Sequence, residues 1–139
     1  MQVQTVTIKI NTEGHTDIID VTPQVQETLE KSGLQEGHLT VFISGSTAGV
    51  TTVEYEPGLL KDIPEALEKI APTSKRYHHD ATWGDGNGYA HVRASMVGAS
   101  FTVPFVNGRM LLGTWQQIIV LDFDNRSRSR NVVVQLMGE

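Results

Sequence analysis

Apolar and polar residues alternate at the start of the chain, and this pattern predicts a β-strand. Val6, Ile8 and Ile10 fall on one face, while threonines and a lysine occupy the positions between and before them. Alternation with a period of two is typical of a strand that buries one face. A turn at Glu13-Gly14 separates it from a second predicted strand over residues 15–21.

A helix is predicted after this second strand. Thr22 suits its N-cap, Pro23 suits the first helical position, and Gly33 suits its end. Val25 and Leu29 stand four residues apart and therefore mark the face that packs on the core.

A second helical region is predicted over residues 58–71. Its apolar residues recur at helical spacing. Pro64 is expected to divide or kink this helix, because proline has no N–H to donate, and Pro72 is expected to end it. Asp62 and Glu65 are candidate caps for the later half.

The rest of the chain predicts β-structure. Residues 39–44 form a β-rich run that enters a loop of small residues, and Asn107-Gly108 is a strong hairpin signal. Further strands are predicted over residues 90–97, 100–106, 109–112, 115–123 and 130–136.

These elements predict an α+β fold, with antiparallel β-sheets in a sandwich-like arrangement and two or three helices, in a single domain over residues 1–139. Two runs, Ile118-Ile119-Val120 and Val132-Val133-Val134, are apolar on both faces. A strand buried on both faces indicates a sandwich, a helix-covered sheet or a subunit interface. We therefore favour an oligomer.

Composition narrows the class of function. Of 139 residues, 39% are hydrophobic and 19% charged, as in an ordinary globular protein, and the net charge of −5 argues against a general nucleic-acid binder. Without cysteine the chain has neither disulfides nor thiolate metal sites. No apolar run approaches a membrane span and the first residues do not resemble a signal peptide, so we expect a cytoplasmic protein without membrane partners.

The candidate chemistry centres on histidine. His78, His79 and His91 lie near Asp80 in sequence, and imidazole with carboxylate serves proton transfer or metal binding. If the segments are strands, His78 faces away from His79, and His91 opens a strand on a rigid support. The two remaining imidazoles, with Asp80 or Glu54, would form an incomplete metal shell. The alternative is a pair of hydrogen-bonded histidines at a sheet edge.

The loop Gly-Ser-Thr-Ala-Gly at residues 45–49 is a candidate anion site. Free backbone N–H groups and the hydroxyls of Ser46 and Thr47 would suit an anion. The loop lacks the lysine and the spacing of a Walker motif. A plain tight turn is the alternative.

Other polar residues have two interpretations each. Glu54 is a general base or a solvated strand end. Arg93 stands two residues beyond His91, hence on the same face of a strand, where it could meet phosphate. Trp115 and Gln116 could pack and orient a ligand, or serve as core and cap.

A cluster of arginines lies near the end of the chain. Arg126, Arg128 and Arg130 alternate with polar residues. Guanidinium groups bind phosphate bidentately, but a hydrophilic hairpin loop would have the same composition.

Together these motifs resemble the YjbQ-like family, whose members are often labelled secondary thiamine-phosphate synthases. The resemblance covers nearly the whole chain and is strongest from Gly45 to Gln135. The motifs, in order, are Ser-Thr-Ala-Gly-Val-Thr before Glu54, Tyr77-x-His79-Asp80, Asn87 before Ala90-His91, Leu112-Gly-Thr-Trp-Gln-Gln117 and Arg130-Asn-Val-Val-Val-Gln.

The resemblance implies an α+β homotrimer whose shared polar residues gather in one pocket, in some members with a metal ion. The implied reaction is a transfer that joins a pyrimidine pyrophosphate to a thiazole phosphate. The implied catalytic residues are His79, His91, Asp80 and Glu54, with His79 and His91 as metal ligands. The implied substrate-binding residues are Ser46, Thr47, Asn87, Trp115 and Gln116, with Arg93 as a further phosphate contact.

A histidine pair fits Zn²⁺ better than Mg²⁺, so zinc is the expected metal. One departure concerns Gly45, where relatives usually carry histidine. Gly45 could weaken metal binding, could widen the anion site, or could leave a vacancy that Glu54 or Asp80 fills. The alternatives to a transferase are a non-catalytic trimer that binds a small anionic metabolite, and a metal-dependent hydrolase of a small phosphorylated substrate.

Overall fold

A computed structural model describes residues 1–139 as eight strands and four helices. In chain order these are β1 (Gln2–Thr12), β2 (Asp17–Asp20), α1 (Thr22–Ser32), β3 (Glu36–Ile43), β4 (Ala48–Val53), α2 (Leu59–Ile70), α3 (His78–Trp83), α4 (Gly88–Val97), β5 (Ser100–Val106), β6 (Arg109–Met110), β7 (Gln117–Asp122) and β8 (Arg128–Gly138). None of the four helices is long and apolar enough to cross a membrane.

The strands form two sheets. One has five strands in the order β1-β8-β3-β5-β6, and the other has three in the order β2-β7-β4. Every pairing is antiparallel. The predicted α+β class with antiparallel, sandwich-like sheets is therefore confirmed, with four helices instead of two or three.

Strand β7 is buried on both faces. Ile118 and Val120 belong to the larger core, which lies between the sheets and α1, while Ile119 and Leu121 belong to a second core. That second core also includes residues of α2 and α4. The apolar run of β7 therefore reflects a sandwich on one side and a helix layer on the other.

Helix α1 follows its prediction except at its first residue. Pro23 stands in the first turn, and Gly33 takes the left-handed conformation with φ 74°. The prediction that Thr22 caps the helix is wrong. Its hydroxyl accepts a hydrogen bond from the backbone N–H of Ile118 at 2.8 Å, and this contact ties α1 to β7.

Helix α2 confirms the second helical region, but Pro64 does not divide it. Pro64 removes one hydrogen bond from the helix because it has no N–H. The helix nevertheless continues through it, and its apolar face packs on the second core through Leu67. Neither Asp62 nor Glu65 caps a later segment, because no second helix start exists there.

The largest difference lies between residues 77 and 97. Residues 90–97 were predicted as a strand but belong to α4, and His79 lies on α3. Tyr89, Ala90, Arg93 and Ala94 are buried, which is a helical rather than an alternating pattern. The segment was misassigned because a short apolar run does not distinguish strand from helix by periodicity alone.

Candidate functional site

The corner between α3 and α4 is held together by Asp80. Its carboxylate accepts hydrogen bonds from the backbone N–H of Tyr77 at 3.2 Å and from that of Gly88 at 2.9 Å. These are the first turns of both helices, where N–H groups lack intrahelical partners. Burial alone would raise the pKa of Asp80, but these hydrogen bonds and His79 outweigh it and lower the pKa.

This corner brings the two predicted imidazoles together. The ring centroids of His79 and His91 are 4.3 Å apart, with the ring planes inclined at 40°. His78 is exposed. We predicted that His78 and His79 point in different directions because they lie on a strand. They do point in different directions, but the reason is that successive residues of a helix are rotated by about 100°.

Two carboxylates lie beside the imidazole pair. His79 Nδ1 is 3.4 Å from an oxygen of Asp85 and 3.7 Å from an oxygen of Asp80. One ligand atom from each of these three residues falls within 4.8 Å of the others. Asp85 was not predicted, because it lies in a glycine-rich loop whose sequence gives no sign of its position.

The donors at this corner fit a divalent metal ion. His79 Nδ1 is buried and has no aligned hydrogen-bond partner, and neither does Asn87 Oδ1. A buried polar atom without a partner is costly unless something else satisfies it. Imidazole nitrogen and carboxylate oxygen are the ligands that Zn²⁺ takes in catalytic sites. His79, Asp80 and Asp85 have ligand atoms close enough together to hold such an ion, and His91 lies beside His79.

A cavity of about 290 Å³ opens beside His91. Its wall is formed by the loop after β3 and by one side of α4, with Gly45, Ser46, Ala48, His91, Ala94, Ser95, Gly98 and Ala99. Neither Gly45, Ser46 nor Thr47 donates its backbone N–H to an acceptor in the chain. Three successive N–H groups of the loop therefore have no partner in the chain, and two of these residues, Gly45 and Ser46, line the cavity, where free N–H groups could bind an anion.

The side chain of Thr47 is not available to a ligand. It is buried, and its hydroxyl donates to Asp124 at 2.9 Å and accepts from Arg130 Nη2 at 2.7 Å. Ser46, in contrast, is exposed and lines the cavity. Of the two predicted hydroxyls, only that of Ser46 is free to meet a ligand.

Beneath the loop lies a buried network of charges. Arg130 donates to both oxygens of Asp122, at 2.7 and 2.9 Å, and Arg128 donates to Asp124 at 3.0 Å. Burial would raise the pKa of both carboxylates, but the hydrogen bonds outweigh it and their pKa values lie below the ordinary range. Hydrogen bonding to Asp122 raises the pKa of Arg130.

Gly45 is held in a conformation that a side chain would strain. Its φ is 122°, and a Cβ atom would stand 2.7 Å from Arg130 Nη1. A histidine here would require the guanidinium to move. The guanidinium of Arg130 can therefore lie this close to the loop because residue 45 has no side chain.

Arg93 lies on α4 but does not reach the cavity. Its side chain is 3% exposed, forms an ion pair of 2.8 Å with Glu68, and also donates to Ala71 O and to the hydroxyl of Thr16. The prediction that it shares a strand face with His91 is wrong, because residues two apart on a helix diverge.

Three other predicted residues stand apart from the imidazole pair. Glu54 is exposed and forms no hydrogen bond or ion pair through its side chain. Trp115 is 72% exposed. The Gln116 side chain accepts a hydrogen bond from the backbone N–H of Gly113 in its own turn and donates one to the hydroxyl of Thr52 on β4. None of the three lines the cavity beside His91.

A larger groove, of about 400 Å³, lies between β1 and α1. It has no histidine, and its charged residues, Glu27 and Lys31, pair with each other at 2.8 Å. It therefore offers no reactive group, and the cavity beside His91 remains the better candidate.

Comparison with known proteins agrees across sequence and structure. A family model described as UPF0047 protein YjbQ-like matches residues 6–139. A UPF0047 protein of Methanothermobacter thermautotrophicus is 39% identical over 139 residues, spanning 100% of this chain and 95% of that protein. The UPF0047 protein YugU of Bacillus subtilis is 34% identical over 133 residues, spanning 95% and 98%.

Solved structures share the fold over the whole chain. A hypothetical protein of Aeropyrum pernix superimposes with a TM-score of 0.91 at 34% identity, covering 98% of this chain and 99% of that one. A protein of unknown function from Sulfolobus solfataricus superimposes with a TM-score of 0.90 at 29% identity, covering 99% and 100%.

Proposed function

The chain belongs to the YjbQ-like UPF0047 family, and on this premise we propose that it is a metal-assisted enzyme acting on small phosphorylated metabolites. The first reaction to test is thiamine-phosphate synthesis, in which a pyrimidine pyrophosphate joins a thiazole phosphate and pyrophosphate leaves. The cation would be held at the imidazole pair, and the phosphate beside it in the cavity.

One observation carries the proposal. The rings of His79 and His91 lie 4.3 Å apart on two different helices, and His91 lines a cavity together with Gly45 and Ser46, whose backbone N–H groups have no partner in the chain. A buried imidazole nitrogen without an aligned partner next to two carboxylates is a costly arrangement for a purely structural corner.

Each group at the site would have its own role in the reaction. The backbone N–H groups of Gly45, Ser46 and Thr47 would hold phosphoryl oxygens and orient the substrate. His91, which lines the cavity, would with His79 hold the ion next to the bound substrate. Asp80 would keep both helices in place. A bound divalent ion would supply neutralisation of negative charge on a phosphate oxygen.

Zinc is the metal that this donor set supports best. Mg²⁺ prefers oxygen ligands, whereas an imidazole pair with one or two carboxylates suits Zn²⁺. Hydrolysis of a phosphorylated substrate is therefore the alternative reaction to test with the same preparation, because zinc-activated water is a common nucleophile.

A second candidate function is non-catalytic binding of a small anion by a trimer. The free N–H groups of the loop support it, because they need no metal and no reactive group to bind an anion. Assembly is supported by exposed apolar side chains, among them Trp83 (74% exposed), Trp115 (72%), Leu111 (58%) and Met96 (56%). Sedimentation equilibrium would test the trimer, and a monomer at all concentrations would refute it.

The experiment combines metal binding with reaction assays. Purified protein is stripped of metal, titrated with Zn²⁺ in competition with a chromophoric chelator, and assayed with pyrimidine pyrophosphate and thiazole phosphate. We expect one zinc per chain, loss of that zinc in His79→Ala and His91→Ala, and retention in His78→Ala. His78 is the matched control, because it neighbours His79 but is exposed.

The outcomes separate the candidates. Zinc binding that survives both histidine substitutions would refute the site. Zinc binding without thiamine phosphate, but with phosphate release from small phosphorylated substrates, would favour the hydrolase. Anion binding with neither zinc nor turnover would favour the non-catalytic module.

A further inference from the structure

We infer that Arg130 supplies the positively charged hydrogen-bond donor of a phosphate subsite at the loop 45–47, with its Nη1 atom beneath Gly45. This inference deepens the proposed function, on which its place in a reaction rests. The ligand class is a phosphoryl group, either free phosphate or the phosphate of a metabolite.

One nitrogen of the Arg130 guanidinium, Nη1, has no acceptor in the chain. The residue is 8% exposed, and its Nε and Nη2 atoms donate to Asp122 and to the hydroxyl of Thr47. Nη1 donates to no acceptor in the chain, and it is not among the fully buried polar atoms that lack partners. A guanidinium has five N–H donors, and those of Nη1 are therefore available to a ligand.

Nη1 lies beside Gly45, a residue of the cavity wall. It is the nearest atom to the point where a Cβ of Gly45 would stand, at 2.7 Å, and Gly45 lines the cavity together with Ser46 and His91. A residue with a side chain at this position would cover Nη1. Glycine leaves Nη1 uncovered at a loop in which residues 45–47 donate no backbone hydrogen bond.

The charges beneath the loop are balanced and do not oppose an anion at this place. The two buried carboxylates beneath the loop are each paired, Asp122 with Arg130 and Asp124 with Arg128. The network thus presents no net negative charge to a ligand above it. A phosphate oxygen would receive hydrogen bonds from backbone N–H groups and a charged one from Nη1, which is stronger than a neutral one.

The other arginine near the cavity is excluded by its contacts. Arg93 lies on α4 with His91, but its guanidinium is engaged by Glu68, Ala71 and Thr16. Arg130 is therefore the better candidate for the cation that meets phosphate.

The test is an NMR titration of ¹⁵N-labelled protein with inorganic phosphate and then pyrophosphate. EDTA is present, so that no divalent ion contributes, and chloride at equal ionic strength serves as the reference. We expect saturable shifts at the amides of Gly45, Ser46 and Thr47 and at the side-chain Nε–H of Arg130. Shifts at the loop without any at Arg130 would overturn its role, and no saturable shift at all would overturn the subsite.

Two substitutions sharpen the test. Gly45→Ala places a Cβ against Nη1, and we expect phosphate binding to weaken about tenfold or more, as loss of a charge-assisted hydrogen bond would give. Gly33→Ala is the matched control, because its φ of 74° gives similar strain but no atom lies within 4 Å of the added Cβ. Equal binding by Gly45→Ala and wild type would refute the inference. If Gly45→Ala does not fold, the wild-type titration decides alone.

Failure here and failure of the proposed function are distinguishable. Phosphate binding in EDTA without zinc binding would leave the subsite standing and refute the metal site. Zinc binding by His79 and His91 without phosphate-induced shifts would support the metal site and refute the phosphate subsite.

Discussion

The backbone of Gly88 lies directly against the side chain of Tyr77. A Cβ atom at residue 88 would overlap Tyr77 Cβ and stand 2.8 Å from its Cγ. This close approach lets Asp80 bond the first turns of both α3 and α4, and it sets the distance between His79 and His91.

Substitution Gly88→Ala should therefore damage both stability and the site. Overpacking of this kind typically costs about 1–3 kcal/mol, and the N-terminus of α4 must shift to relieve it. We expect a lower free energy of unfolding in urea and weaker zinc binding. Gly113→Ala is the control, because Gly113 has no positive φ and an added Cβ would meet only Gln116, at 3.7 Å and beyond. Equal effects of both variants would show that packing against Tyr77 is unimportant.

Arg93 should prove to be a stabilising residue and not a ligand contact. Arg93 is buried, and Arg93→Ala removes its hydrogen bonds to Ala71 O and to the Thr16 hydroxyl, each worth about 1 kcal/mol, so it should lower the free energy of unfolding clearly. Glu68→Gln should cost much less, because the Glu68 side chain is 46% exposed. Phosphate titration of the folded Arg93→Lys variant tests whether Arg93 contacts the ligand. We expect wild-type affinity, and an affinity far below that of wild type would contradict the prediction.

Stability should fall in acid because of Asp122 and Asp124. Their folded-state pKa values lie below those of the unfolded chain, so the unfolded chain binds protons first as pH falls. Their contribution is complete above the unfolded-state pKa of about 3.9 and is lost as pH drops through the lower folded-state values.

Urea unfolding between pH 7 and pH 2 measures this loss. We expect a plateau near neutral pH and a steep decline at the acid end. In Asp124→Asn the decline should be shallower than in wild type, at the cost of lower stability at pH 7. An unchanged acid slope would show that Asp124 has no depressed pKa.

The two tryptophans should report on assembly. Trp83 and Trp115 are 74% and 72% exposed in a single chain, so acrylamide should quench both in a monomer. In the trimer that we propose, at least one should become protected as protein concentration rises, because large exposed apolar side chains mark interfaces. Concentration-independent, complete quenching alongside a trimeric mass would place both outside the interface.

The candidate site was predictable in part. Residue types and order singled out His79, His91 and Asp80, which the fold brings together, and a loop of small residues whose N–H groups at positions 45–47 have no partner in the chain. Asp85 was not singled out, and Arg130 was predicted only as one of a cluster of arginines that could bind phosphate. Their relation to the site depends on a loop between helices and on the register of β8, and neither leaves a local signal in sequence.

Sequence alone determined the antiparallel α+β class, α1, α2 and the double-sided burial of β7, because these follow from apolar periodicity and from the conformations of proline and glycine. Only the tertiary structure decided that residues 88–97 form a helix, that Arg93 pairs with Glu68, and that Arg130 lies beneath Gly45. The physical reason is that helix and strand compete closely over short apolar segments. The choice, and the partner of each charged side chain, is made by packing between residues distant in sequence.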